Sequence, residues 1–341
     1  MNLNTLPRRT LAHFGSLRTT LACLALLAAA VAAGLVGDGV SALALTLAIA
    51  LLVVNLLAAM VMHPSFRRQL PLLVAHLALL ALVALVAVGR LTALDGRFEL
   101  TEGLPFDGLI EAKAGPLHRD RLSRLNFRHE GFEIHYAAGR KRGATQNPVT
   151  WVDAGGRVHR AVIGDHRPLV LEGYRIYTSS NKGFAPVFTW MPAAGERVTG
   201  AVHLPSFPVH ELQQWREWTL PGGTTVWVML QLDEKLIDPA GPASFRLPDA
   251  HRLVLRVGDQ RAELAPGDRF ELQGGTLVYE RLSTWMGYRV SYDATLPWLL
   301  AAALLASAAL AWHYARRFLG ERAPSTAAAH LVARRPEPDH G

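Results

Sequence analysis

A single cysteine, Cys23, serves all 341 residues. That scarcity excludes a disulfide framework, a Cys-x-x-Cys redox pair and the Cys-x-x-Cys-His site of covalently attached haem. A Gly-x-x-x-x-Gly-Lys-Ser/Thr loop, a dinucleotide-binding glycine fingerprint and the His-Glu-x-x-His zinc spacing are missing as well. Charge is also scarce, at 18% of residues, and it is almost absent from four runs near 17–37, 41–62, 70–90 and 296–315. About 20 apolar residues is the length at which an α-helix crosses roughly 30 Å of hydrocarbon. A helix also satisfies its own backbone there. The sequence predicts three N-terminal transmembrane helices in 1–90, a large extracytoplasmic domain over 91–295, a fourth span over 296–315 and a disordered tail over 316–341.

The net charge of +7 suggests a nucleic-acid partner until it is mapped. Residues 91–295 hold 24 basic and 24 acidic side chains, so the whole excess lies in and around the spans. Arg8, Arg9 and Arg18 precede the first span, Arg67 and Arg68 separate the second and third, and Arg316, Arg317, Arg322, Arg334 and Arg335 follow the fourth. Arg90 stands alone on the other side, and Asp38 is the one charge between spans one and two. The positive-inside rule then puts both termini in the cytoplasm and 91–295 outside. No basic face for nucleic acid is left. The length of the first run and the second span close behind it favour a retained helix over a cleaved signal peptide. Cys23 lies inside that helix, where it reads as a small packed residue.

The stretch 91–295 consists of short alternating segments such as 97–100, 132–136, 174–177, 225–229, 252–257 and 276–279. Period-two alternation marks half-buried strands. Gly155-Gly156, Gly222-Gly223, Gly258-Asp259 and Gly274-Gly275 mark the turns between them. The fold class is therefore membrane α plus β, with a mostly antiparallel, sandwich-like exported domain. Val209–Trp218 is the one segment of the domain that reads as a short helix. His129, His135, His159 and His166 read as surface histidines rather than a metal cluster. Ser179-Ser180 has no nearby acid–base partner in the sequence, and no independent catalytic centre is visible.

His76 stands out, six residues into the third run. An ionisable group inside a bilayer costs about 2.5–3.5 kcal/mol on insertion scales and tends to mark a site. Neutral imidazole is a good iron ligand, and an apolar slot between helices suits a porphyrin. A hydrogen bond from His76 to Asn55, at nearly the same depth in the second run, explains both polar residues equally well without a cofactor. His13, His63 and His313 lie near the same membrane face as further candidates for a second axial position.

The chain resembles the ResB/CcsB family of cytochrome c maturation proteins over nearly its whole length. Besides the three-plus-one span layout, the resemblance rests on Gly15-Ser16-Leu17-Arg18 before the first span and on the third span with His76 near its start. It rests further on Leu100-Thr101-Glu102-Gly103-Leu104-Pro105-Phe106, on the run from Gly164 to Tyr177, and on Trp285-Met286-Gly287-Tyr288-Arg289-Val290 before the last span. Asp165-His166 and Asp293-Ala294-Thr295 depart from the family pattern. The resemblance implies a bacterial inner-membrane subunit of the system II machinery. Such a subunit binds haem non-covalently and transiently, and relays it across the membrane for attachment to apocytochrome c. The implied partners are a CcsA/ResC-type protein bearing a tryptophan-rich loop, apocytochrome c itself and a thioredoxin-like reductant. The family's histidine falls on His76 as an axial ligand to haem iron, with His313 as a candidate for the second. The competing expectation is a cofactor-free membrane-anchored scaffold whose β domain docks a partner.

Overall fold

The computed structural model describes residues 13–36, 42–63, 66, 68–153 and 155–321. Most of the expected tail lies outside these residues. Two compact units share the chain: a helical unit, which takes in Gly115–Leu117, and a β unit of Ala93–Ala114 and His118–Asp293.

The helical unit contains α1 (Leu17–Val36), α2 (Ala42–Met62), α3 (Leu70–Thr92) and α4 (Leu296–Glu321). By length and composition, Leu43–Met62, Leu70–Thr92 and Leu296–Leu319 can each cross a membrane, and Leu17–Ala33 is a shorter apolar helix. The last helix continues six residues past the end expected for the fourth span. Ser16 caps α1, its hydroxyl accepting the Thr19 amide at 3.3 Å. Pro71 and Pro297 occupy first turns, where a missing N–H costs nothing. In sequence order the helices pack as neighbours, α1 on α2, α2 on α3 and α3 on α4. Small residues line the seams: Ala48 and Ala58 on α2, Ala75, Ala78 and Ala87 on α3, and Ala302, Ala306 and Ala309 on α4 are all buried. Between helices in lipid, where hydrophobic transfer contributes little, such close approach supplies the packing. Gly115–Leu117 joins this unit through the Leu117 amide, which donates to the Leu91 carbonyl at 2.8 Å. A Cβ at Gly115 would stand 2.3 Å from that same oxygen, so no other residue fits.

The β unit holds β1 (Leu94–Thr101), β2 (Glu111–Ala114), β3 (Phe127–His129), β4 (Glu133–Ala137), β5 (Lys141–Val152), β6 (Val158–Gly164), β7 (Leu169–Leu171) and β8 (Tyr174–Pro192). It continues with β9 (Val198–Ala201), β10 (Trp215–Thr219), β11 (Thr225–Leu232), β12 (Ala243–Ser244), β13 (His251–Val257), β14 (Gln260–Leu264), β15 (Arg269–Leu272) and β16 (Gly275–Tyr292). All strand pairs are antiparallel. They form three sheets rather than a simple pair. The largest runs β2-β1-β16-β8-β7 with β15 and β9 alongside, the second is β12-β4-β5-β3 with β6, and the third is β10-β11-β13-β14.

The four predicted glycine turns each join a hairpin, β5–β6, β10–β11, β13–β14 and β15–β16. Two strands are far longer than their sequence segments suggested: β8 has 19 residues and β16 has 18. Register shifts at Tyr279/Arg281 and Met286/Tyr288 break their shared ladder into stretches, and bulges of this kind bend a strand and raise its twist. The predicted short helix is also corrected, because Trp215–Thr219 is β10 and only turns precede it. Trp218 carries the reason. Its ring stacks on Phe188 at 5.2 Å, and packing on one face of a sheet favours period two over a helical turn.

One core runs through the unit, with Phe98 stacked on Tyr288 at 4.9 Å and Phe245 against both Phe132 and Phe184. Burying each such ring contributes about 2–3 kcal/mol. The family-like run from Gly164 to Tyr177 forms the end of β6, a turn, β7 and the start of β8. Glu172 (φ 52°) and Gly173 (φ 87°) make the tight β7–β8 hairpin, a left-handed pair suited to a two-residue turn.

Candidate functional site

His76 sits half-buried on α3, beside the buried Ala75 and one turn before the buried Leu80. Its Nδ1 lies 2.8 Å from the Leu72 carbonyl one turn earlier. A carbonyl can only accept, so Nδ1 carries a proton, and in the neutral ring Nε2 keeps its lone pair. Phe66 meets the ring edge-on at a centroid distance of 4.8 Å. Among the described residues Nε2 has no hydrogen-bond partner. The imidazole is thus oriented through one nitrogen while the other stays a free donor of electrons, the state a metal ligand needs.

Asn55 does not bond to His76. It is fully buried on α2, where its Oδ1 accepts from the Thr20 hydroxyl at 2.8 Å and its Nδ2 donates to the Phe14 carbonyl. Both of its polar ends are committed to the first helix and the turn before it. Gly15 allows that approach, since a Cβ there would lie 2.9 Å from the Ala59 nitrogen.

His313 continues the buried Ala302, Ala306 and Ala309 stripe of α4 at the same helical spacing and is itself half-buried. Measured from the helix ends that join the β unit, His76 is 16 residues into α3 and His313 is 17 into α4. At 1.5 Å per residue these depths are about 24 and 26 Å, on helices that pack together. The two imidazoles do not touch; the His313 ring meets Tyr314 at 5.4 Å. His13 and His63 are exposed at helix ends, and among the described residues His76 bonds Leu72 and meets Phe66 rather than either of them.

In the β unit, the structure corrects one of the four histidines expected at the surface. His129 is fully buried, its Nδ1 accepting from Asn147 Nδ2 at 2.7 Å, while the Tyr288 hydroxyl donates to Asn147 Oδ1 at 2.7 Å. Burial pulls the His129 pKa down to about 4 and holds the ring neutral. Its flanking arginine and glutamate masked this in the sequence. His135 and His166 are exposed, and the half-buried His159 pairs with Asp153 at 2.9 Å. No group of His, Cys, Asp and Glu among the described residues could hold a metal on its own.

Two further clusters escaped sequence reasoning because their members lie far apart in the chain. His203 bridges Glu99 at 2.7 Å and the Thr101 hydroxyl at 2.8 Å while stacking on Trp285 at 5.0 Å. Lys182 is buried, its ammonium 3.3 Å from the Ser180 carbonyl, and burial with nearby Arg142 draws its pKa down to about 8. The Ser179 hydroxyl accepts the Asn181 amide, and among the described residues no hydrogen bond links the hydroxyl of Ser179 or Ser180 to an acidic or basic side chain. The His203 cluster ties β1 to β16 and to the segment before β10.

The profile of the ResB-like family matches residues 65–317. No curated protein matches. Among solved structures, the chain is similar to a cytochrome c heme lyase, CcmF, at 13% identity over 87% of this chain. It spans about a third of that protein (34%), and at a TM-score of 0.26 the likeness is too slight to bear on the fold.

Proposed function

Since the chain belongs to the ResB-like family, we propose that it is a subunit of the system II cytochrome c maturation machinery. In this reading it holds haem in the membrane for delivery to apocytochrome c. Haem is its cargo, bound without a covalent link, and iron supplies the site that imidazole grips. His76 Nε2 is the axial ligand. The observation that supports this assignment is the His76–Leu72 hydrogen bond, which engages Nδ1 and, in the neutral ring, leaves the Nε2 lone pair to a metal. His313, at matching depth on the neighbouring helix, is the second candidate.

Orientation follows from the flanking arginines, with both termini cytoplasmic in a bacterial inner membrane and the β unit outside. Ligation holds the cargo and chemistry at the cytochrome happens elsewhere, so a CcsA/ResC-type partner is required. The lone Cys23, inside a helix, cannot keep a pair of apocytochrome thiols reduced; a thioredoxin-like reductant must do so. The cofactor-free scaffold reading loses its main support, because Asn55 is engaged elsewhere.

The test is the visible spectrum of the complex purified with its partner. His76→Ala should lose most of the Soret absorbance with subunit stoichiometry unchanged, and added imidazole should restore part of it. A His76→Ala complex with full absorbance overturns the ligand assignment.

A further inference from the structure

The exposed face built by β3, β5 and β6 has no role in the reading above, and it is not a neutral surface. β6 pairs with β5 in unbroken register from Val158–Val152 to Gly164–Gln146, and among the described residues its other edge is bonded only at its last residue, where Gly164 bridges Arg167. Free edges are commonly protected by lysine, proline or a bulge. The β6 sequence Val-His-Arg-Ala-Val-Ile-Gly contains none of these.

Its outward positions are Val158, Arg160 and Val162, and Val152 stands opposite Val158 on β5. The three valines are 47% (Val152), 66% (Val158) and 42% (Val162) exposed. In the row between them, Arg128 on β3, Thr150 on β5 and Arg160 on β6 stand side by side. With strands about 4.8 Å apart, the two arginine backbones are about 10 Å apart across the threonine. Neither arginine makes an ion pair within the described residues. Asp153 is taken by Arg157 and His159, and Glu130 lies past the end of β3. A shallow depression of about 150 Å³ opens between Arg128, Thr150, Val152 and Val158.

We infer that the β6 edge receives an extended segment of another polypeptide by strand addition, one whose outward-facing side chains, at every second residue, are apolar and acidic in turn. Backbone pairing along β6 supplies affinity, Val158 and Val162 meet the apolar side chains, and Arg160 takes the carboxylate, with Arg128 two strands away adding to the positive potential. Charge complementarity selects this occupant over a second copy of the chain. Two-fold pairing of β6 with itself would make the two Arg160 side chains diagonal neighbours, and like charges so placed are destabilising. The inference does not depend on haem at His76, and its failure would leave that assignment untouched.

The full chain in detergent, titrated with fluorescent peptides about nine residues long, provides the test. A Val/Glu peptide that carries Val and Glu in turn at every second position, with Thr between them, should bind. A Val/Lys peptide should not, nor should a Val/Glu peptide N-methylated at alternate amides, which cannot complete the ladder. The pair R128S/R160S should weaken Val/Glu binding by about tenfold or more, with far-ultraviolet circular dichroism unchanged. The pair R128E/R160E should transfer the preference to Val/Lys. Equal binding of the two peptides, indifference to the arginine substitutions, or absence of binding would overturn the proposal. So would self-association of the chain that Val162→Asp abolishes, because that outcome gives the edge to a second copy.

Discussion

Asn55 accepts a hydrogen bond from Thr20 across 2.8 Å, tying the second helix to the first inside an otherwise apolar bundle. Its amide nitrogen reaches the Phe14 carbonyl as well. The polar atoms of a buried asparagine are thereby spent on helix assembly, and Asn55 does not pair with His76.

Separation of the two residues is directly measurable. Asn55→Leu should lower the thermal stability of the purified protein by about 1 kcal/mol, the usual size of an interhelical polar contact in lipid. The same variant should keep the haem absorbance that His76→Ala loses. If N55L abolishes absorbance while the helices remain assembled, the two polar residues act together after all.

Acid should weaken the β unit through His129. Its folded pKa of about 4 lies below the ordinary 6.5, so the unfolded chain binds the extra proton between those values. Stability is complete above pH 6.5 and falls as pH drops toward 4, by about 3 kcal/mol for this group. Urea midpoints across that window should show the fall, and His129→Phe should flatten it.

Lys182 runs the other way in composition. A buried ammonium held by one long hydrogen bond to a carbonyl brings little to set against its desolvation. Lys182→Met should leave the urea midpoint unchanged or raise it. In the parent protein, stability should rise between pH 8 and 10.5, where the unfolded chain still binds the proton. A midpoint that falls by more than about 1 kcal/mol in K182M would show that the cation has a partner worth keeping.

Gly173→Ala should cost about 1–2 kcal/mol, measured by the same unfolding curves, because φ is 87° there and an added Cβ would stand 2.9 Å from the Tyr292 ring. Glu172→Gly in the same turn should be tolerated, since its φ of 52° already favours glycine.

The spans, the short strands and the glycine hairpins were legible because each follows from a local period or a local turn. His76 was legible for the same reason: one ionisable residue in a run of leucine and alanine is visible without neighbours. The 19-residue β8 was not, since three residues, Ser179 to Asn181, bulge opposite the single Gly287 and disrupt its alternation. Nor was the pairing of Asn55 with Thr20, which depends on which helix lies next to which. His129 was misplaced because its neighbours Arg128 and Glu130 point outward while the ring points in, and a strand's two faces carry different rules. The Glu99–His203–Thr101 cluster spans about a hundred residues of chain, and only the β1–β16 ladder assembles the surface on which it forms.

Cys23, buried in α1, is the sole sulfhydryl of the chain. The β unit therefore owes nothing of its fold to oxidation state. It offers no cysteine sulfur to attack, so a mixed disulfide with a thiol-bearing protein has nowhere to form on it.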